Sequence, residues 1–109
     1  MYADCILACD NCASNCEQSA SACLEQADVT ALAACIRSQR DCADVCRLAS
    51  LLLARGSRHS AEACRLAEMI AIACAAECER HPIDPCRAAA EACQRAADEC
   101  RKLAAVSTI

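Results

Sequence analysis

Fourteen of the 109 residues are cysteine: Cys5, Cys9, Cys12, Cys16 and Cys23; Cys35, Cys42 and Cys46; Cys64, Cys74 and Cys78; Cys86, Cys93 and Cys100. That density exceeds the roughly 8–10% that marks a disulfide-stapled secreted scaffold. Within the four groups the steps are 4, 3, 4 and 7; 7 and 4; 10 and 4; 7 and 7. These steps return a side chain to the same face of a helix, so each group forms a row of sulfur along one face. Rows of thiols are rows of soft metal ligands.

Disulfides are the first alternative, and distance disfavours them. Helical residues four apart hold their Cβ atoms about 5–6 Å apart, whereas a disulfide wants about 3.5–4.5 Å. The pairs Cys5/Cys9, Cys12/Cys16, Cys42/Cys46 and Cys74/Cys78 would have to distort the helix to close. A metal ion with bonds of about 2.3 Å to sulfur spans the same pairs without strain. Structural zinc sites favour CxxC knuckles on turns. The one CxxC here, Cys9-Asp10-Asn11-Cys12, falls in mid-helix. Iron–sulfur clusters want cysteines on wrapping loops. Soft thiolates select Cu(I), which accepts low coordination numbers. A ladder of such pairs holds many ions, which is a storage design. A zinc or general soft-metal buffer and a thiol redox protein built on Cys9/Cys12 are the alternatives. The plainest alternative is a structural bundle using cysteine as a small hydrophobe. Enzymatic activity is not expected: there is no Ser/His/Asp set, no Gly-rich phosphate loop and no paired inward carboxylates.

Four helices must position these rows. The first covers about residues 3–26. Asp28 or Thr30 is the expected N-cap of a second, which runs to about Ala54 and is stopped by Arg55-Gly56. Ser57 or Ser60 caps a third, running to about Arg80. His81-Pro82-Ile83-Asp84-Pro85 breaks the chain, and Asp84 as N-cap with Pro85 following starts a fourth that ends near Ala105. The expected fold is all-α, an antiparallel up-down-up-down four-helix bundle with a cysteine-lined interior, and residues 1–109 form a single domain. Glu17, Glu25, Arg37, Arg65, Glu79, Arg87 and Lys102 fall mostly off the thiol rows.

Composition narrows the partners. There is one Gly, one Tyr and no Trp or Phe. An Ala/Cys core buries little apolar area at about 25 cal/mol per Å², so the bundle must be thin or reinforced by metal or by partner subunits. Net charge is −4, and no basic patch with interleaved aromatics exists, so no nucleic acid is expected. The apolar stretches 48–54 and 66–76 are too short or are broken by Glu68, so no membrane span is expected. The opening Met1-Tyr2-Ala3-Asp4-Cys5 shows no basic start or apolar run, and a cytoplasmic location, where thiols stay reduced, is expected.

The segments Cys9-Asp10-Asn11-Cys12-Ala13-Ser14-Asn15-Cys16 and Cys74-Ala75-Ala76-Glu77-Cys78-Glu79-Arg80-His81 resemble those of the cysteine-lined four-helix-bundle copper storage proteins. So does the last helix, from Ala90-Glu91-Ala92-Cys93 to Asp98-Glu99-Cys100-Arg101-Lys102. The resemblance covers nearly the whole chain. It implies a bundle binding multiple Cu(I) ions per chain, a homotetramer, and the family's cytosolic branch. It also places His81 at a mouth that receives metal; the other reading is an exposed histidine at a helix C-terminus. Members of the family often carry cysteine where this chain has Ala67, Ala89 and Ala96, and a second mouth histidine where it has Pro85. Helix-four cysteines must therefore share ions with thiols on neighbouring helices. His59, at the far end of the third helix, reads as a surface residue. Leu48, Leu51, Leu66 and Met69 lie off the thiol faces; soft copper ligands and incidental apolar surface are the alternatives, and an oligomer contact surface is the favoured reading.

Overall fold

The computed structural model describes residues 2–107. Four helices carry the chain: α1 (Ala3–Leu24), α2 (Ala33–Ala54), α3 (Ser60–Cys78) and α4 (Asp84–Ser107). Each packs against its chain neighbour, and α4 closes the ring against α1, leaving α1 and α3, and α2 and α4, on the diagonals. This is the antiparallel four-helix bundle that short loops between long helices dictate. Its extents are 48 × 20 × 17 Å. The narrow cross-section follows from the core side chains. All fourteen cysteines are buried, and the other buried positions are mostly alanine, with Leu32, Ile36, Val45, Leu53 and Gln39 as the larger exceptions.

Helix ends depart from the sequence expectations in instructive ways. α1 stops at Leu24 and tightens, the amides of Glu25 and Gln26 bonding to the carbonyls of Ala22 and Cys23. A 3-10 turn (Val29–Leu32) precedes α2, so Asp28 and Thr30 do not cap it; Leu32 precedes the helix, buried against the core. Burying Leu32 outweighs placing a polar cap there. The stop at Gly56 forms as expected: its φ is +65°. The Gly56 amide bonds to the Leu53 carbonyl and the Ser57 amide to the Leu52 carbonyl, a Schellman closure.

Neither serine caps α3 from its side chain, and His59 precedes the helix without a capping bond. Instead the Ser57 hydroxyl accepts from the His59 amide, and the Ser60 hydroxyl donates to the carbonyls of Ser57 and Leu52. The two serines thus lash the α2–α3 turn together. α3 ends at Cys78 and α4 begins at Asp84 itself. The Ile83 carbonyl accepts the Arg87 amide, which puts Asp84 one position inside the helix and lets its carboxylate meet Arg87 at 3.2 Å. Among the described residues no helix is long and apolar enough to cross a membrane.

Candidate metal centre

The thiol rows of the four helices meet on the bundle axis, and all fourteen sulfurs are free. The shortest sulfur–sulfur distances are 3.6 Å, far beyond the roughly 2.05 Å of a disulfide bond. Every i,i+4 pair for which a contact is formed, Cys12/Cys16, Cys42/Cys46 and Cys74/Cys78, sits at 4.0 Å. A metal with arms of about 2.3 Å spans 4.0 Å at an angle of about 120° and 3.6 Å at about 103°. A linear two-coordinate ion would need about 4.6 Å on the same arithmetic. The separations suit three- and four-coordinate ions.

Two sets of thiols converge within 4.8 Å of one another: Cys12, Cys16, Cys42 and Cys93 at mid-height, and Cys5, Cys9 and Cys100 toward the start of α1. The central set draws its thiols from α1, α2 and α4. Cys12 lies 3.6 Å from Cys42 and 3.7 Å from Cys93, and Cys93 is 3.6 Å from Cys16. A third chain of contacts runs toward the His81 end: Cys74 to Cys78, Cys78 to Cys35 at 3.7 Å, Cys35 to Cys86 at 4.0 Å, and Cys86 to Cys23 at 3.8 Å. Each helix-four thiol meets sulfur on another helix, as the single row on that helix requires. The CxxC pair is split. Cys9 contacts Cys100 while Cys12 contacts the central set, so the two belong to different clusters.

The sulfurs tune one another. Hydrogen bonds from Cys12 pull the Cys16 and Cys42 thiols down, and Cys16 does the same for Cys74. Cys12, held up by Cys16, and Cys93, held up by Cys12, keep their protons. A central thiolate is thus surrounded by donors, while a second ionisation nearby is opposed. Burial, then the neighbouring Cys86, pushes Cys23 up to about 11. Contact with Cys100 pulls Cys64 down, but Cys5 and burial outweigh it and leave Cys64 at about 11.

His81 stands at the end of α3, partly buried, with Nε2 3.0 Å from a Glu77 carboxylate oxygen. Its amide bonds to the Cys78 carbonyl, but its ring belongs to neither converging thiol set. His59 is exposed and pairs with Glu62 at the other end of α3. Two residues on the thiol rows escaped the sequence reading. Gln39 is fully buried; its amide donates to the Ser19 hydroxyl at 2.6 Å and to the Cys78 sulfur at 3.4 Å, and its carbonyl Oε1 has no partner. Their signal was present: Gln39 is four residues after Cys35 and three before Cys42, and Ser19 is three after Cys16 and four before Cys23.

Comparison with known proteins agrees with this geometry. The family model described as copper storage protein matches residues 1–105. The chain belongs to the copper storage protein family. It is 41% identical over 101 residues to the uncharacterized cysteine-rich protein YhjQ of Bacillus subtilis (strain 168), covering 93% of this chain and 94% of that one. Among solved structures, the Cu(I)-bound copper storage protein BsCsp3 superposes with a TM-score of 0.91 at 39% identity, covering 94% of this chain and 97% of that one. A cytosolic copper storage protein from Streptomyces lividans, studied during copper loading with five coppers, superposes at 0.91 and 36% identity, covering 94% and 91%.

Proposed function

We propose that this copper storage family member holds multiple Cu(I) ions per chain on its axial thiols. The observation that carries the reading is the convergence of buried sulfurs from different helices within 4.8 Å, at separations a three- or four-coordinate soft ion bridges. All fourteen cysteines are the proposed ligands, with His81 receiving metal at its end of the bundle. For that role the ring must leave Glu77 or bind through its other nitrogen. Each thiol loses a proton when it binds, so loading releases acid and weakens at low pH. In this reading the chain stores copper and catalyses nothing, residues 1–109 act as one unit, and the compartment is the cytoplasm, which the Streptomyces relative supports. A homotetramer accounts for the exposed Leu48, Leu51, Leu66, Met69 and Ile72.

Titration of the reduced apoprotein with Cu(I) against bicinchoninate tests the proposal. Several ions per chain are expected; saturation at one or two overturns it. The Cys12, Cys16, Cys42 and Cys93 tetrad also fits a closed tetrahedral zinc site, which is the second reading. Metal analysis of protein purified from cells separates them: copper in excess supports storage, and zinc at one ion per chain supports the alternative.

A further inference from the structure

The two ends of the bundle offer metal different routes. Beside His81 lies a cavity lined by Glu79, His81, Pro82, Arg87, Ala90, Glu91 and Gln94, with no cysteine in its lining. At the opposite end, between the start of α1 and the end of α4, a cavity of about 310 Å³ has Cys5 in its wall, together with Tyr2, Asp4, Glu99, Leu103 and Val106. Cys5 is 2% exposed, and its sulfur is 3.8 Å from Cys100, which in turn is 3.6 Å from Cys9. Cys64, fully buried near the start of α3, lies at this same end of the bundle.

The hydrogen-bonded sulfur contacts fall into separate groups here. Among the described residues, none of them joins Cys5, Cys9, Cys64 or Cys100 to Cys12, Cys16, Cys42, Cys46 or Cys93. Alanines occupy the intervening turns: Ala67 and Ala71 on α3 after Cys64, and Ala96 and Ala97 on α4 between Cys93 and Cys100, all buried. A thiolate-bound ion moves by exchange between neighbouring sulfurs. On α3 and α4 the alanines remove the stepping stones, so α1, where Cys9 and Cys12 join different sets, carries the boundary.

We propose that Cys5, Cys9, Cys64 and Cys100 form a separate cuprous compartment, filled and emptied through the cavity beside Cys5 independently of the His81 end. The occupant is a soft monovalent ion delivered by an exchanging thiol or small chelator. The carboxylates of Asp4 and Glu99 line the approach, with Glu99 3.3 Å from Lys102. This rests on the storage reading above, and the tests separate the two.

In the reduced, metal-free full-length protein, brief N-ethylmaleimide treatment and peptide mass mapping should modify Cys5 first, ahead of Cys12 and Cys93. Val106 is exposed at the rim. Val106→Trp should slow Cys5 labelling, and one phase of Cu(I) release to excess bicinchoninate, at least tenfold, leaving total ions bound unchanged. Adding Ala96→Cys to the plugged chain should restore the lost phase by bridging the gap. Cys5 reacting no sooner than Cys12, or release unaltered by the plug, overturns the port. A plugged phase that Ala96→Cys fails to restore overturns the separateness of the compartment. A wild-type capacity of one or two ions would instead defeat the storage reading, leaving the labelling order to judge the port.

Discussion

The inside and the outside of this bundle are the reverse of what stability alone would arrange. Inside are small side chains, cysteine and alanine, with four larger aliphatics. Outside stand Leu7, Leu24, Leu48, Leu51, Leu66, Met69 and Ile72, with Leu51 at 57% and Met69 at 61% exposure. A bundle selected for burial alone would place its leucines on the axis, where each contributes about 1.5–3 kcal/mol. In the proposed reading the interior is instead given to ligands, and the metal-free fold surrenders core energy. Two sources can return it: ions bound only by the folded state, and subunits covering the outer leucines.

The ion contribution is the largest effect that can break this comparison. With several sites filled well above their dissociation constants, Cu(I) loading should raise the melting temperature by about 20 °C or more, read by circular dichroism at 222 nm under anaerobic, reducing conditions. Replacing Cys12, Cys16, Cys42 and Cys93 together by Ser should remove several ions and much of that rise. If loading leaves the melting temperature unmoved, the interior is not where the metal acts.

The outer face comes next. If the proposed homotetramer forms, Leu51→Lys with Met69→Lys should convert it to monomers by light scattering while preserving the number of ions bound. The same pair should lower the metal-free melting temperature by about 5–10 °C, because the covered apolar area is lost. An unchanged mass would mean that these side chains contact nothing, and the compensation would fall to metal alone.

Proton linkage sharpens the comparison from within. Cys23 and Cys64 titrate near 11 in the fold instead of near 9. A raised value means that the fold favours the neutral thiol. The stability it contributes is complete below pH 9 and is lost as pH climbs through 11. Cys12, Cys35, Cys78, Cys86, Cys93 and Cys100 are shifted the same way. Cys16, Cys42 and Cys74 oppose them, so the balance favours loss. The metal-free melting temperature should fall by about 5 °C or more between pH 8.5 and 11. The copper-loaded protein, its thiols already deprotonated, should be nearly flat over the same range.

Most of this architecture could be read from residue spacing. The cysteine rows alone imply four helix faces turned to one axis, and Gly56 marked the α2 stop with its bonds. Two kinds of information were out of reach. One was helix beginnings: Leu32, buried 3-10 packing and the serine bonds around residues 57–60 won over the expected polar caps. The other was which sulfurs meet. Pairs four apart on one helix were the expected unit; the close sets join such pairs to thiols of one or two further helices and divide Cys9 from Cys12. That depends on helix rotation and stagger, which periodicity along one chain does not encode.

Gln39 offers the smallest and most local test. It occupies a thiol-row position, is 0% exposed, and leaves its Oε1 unpartnered. An orphaned buried acceptor costs about 1–3 kcal/mol, while the bond to Ser19 at 2.6 Å returns about 1 kcal/mol. Gln39→Leu removes both and fills nearly the same space, so the metal-free protein should be unchanged or more stable by about 1 kcal/mol, measured by urea melts. The donated bond to the Cys78 sulfur is lost as well, which removes a donor that favours thiolate there. Cu(I) should therefore enter the Cys35/Cys78 region more slowly in the variant, with total capacity intact. A loss of more than about 2 kcal/mol would mean that Oε1 has a partner holding the axis together, and that this polar break in the sulfur column is structural.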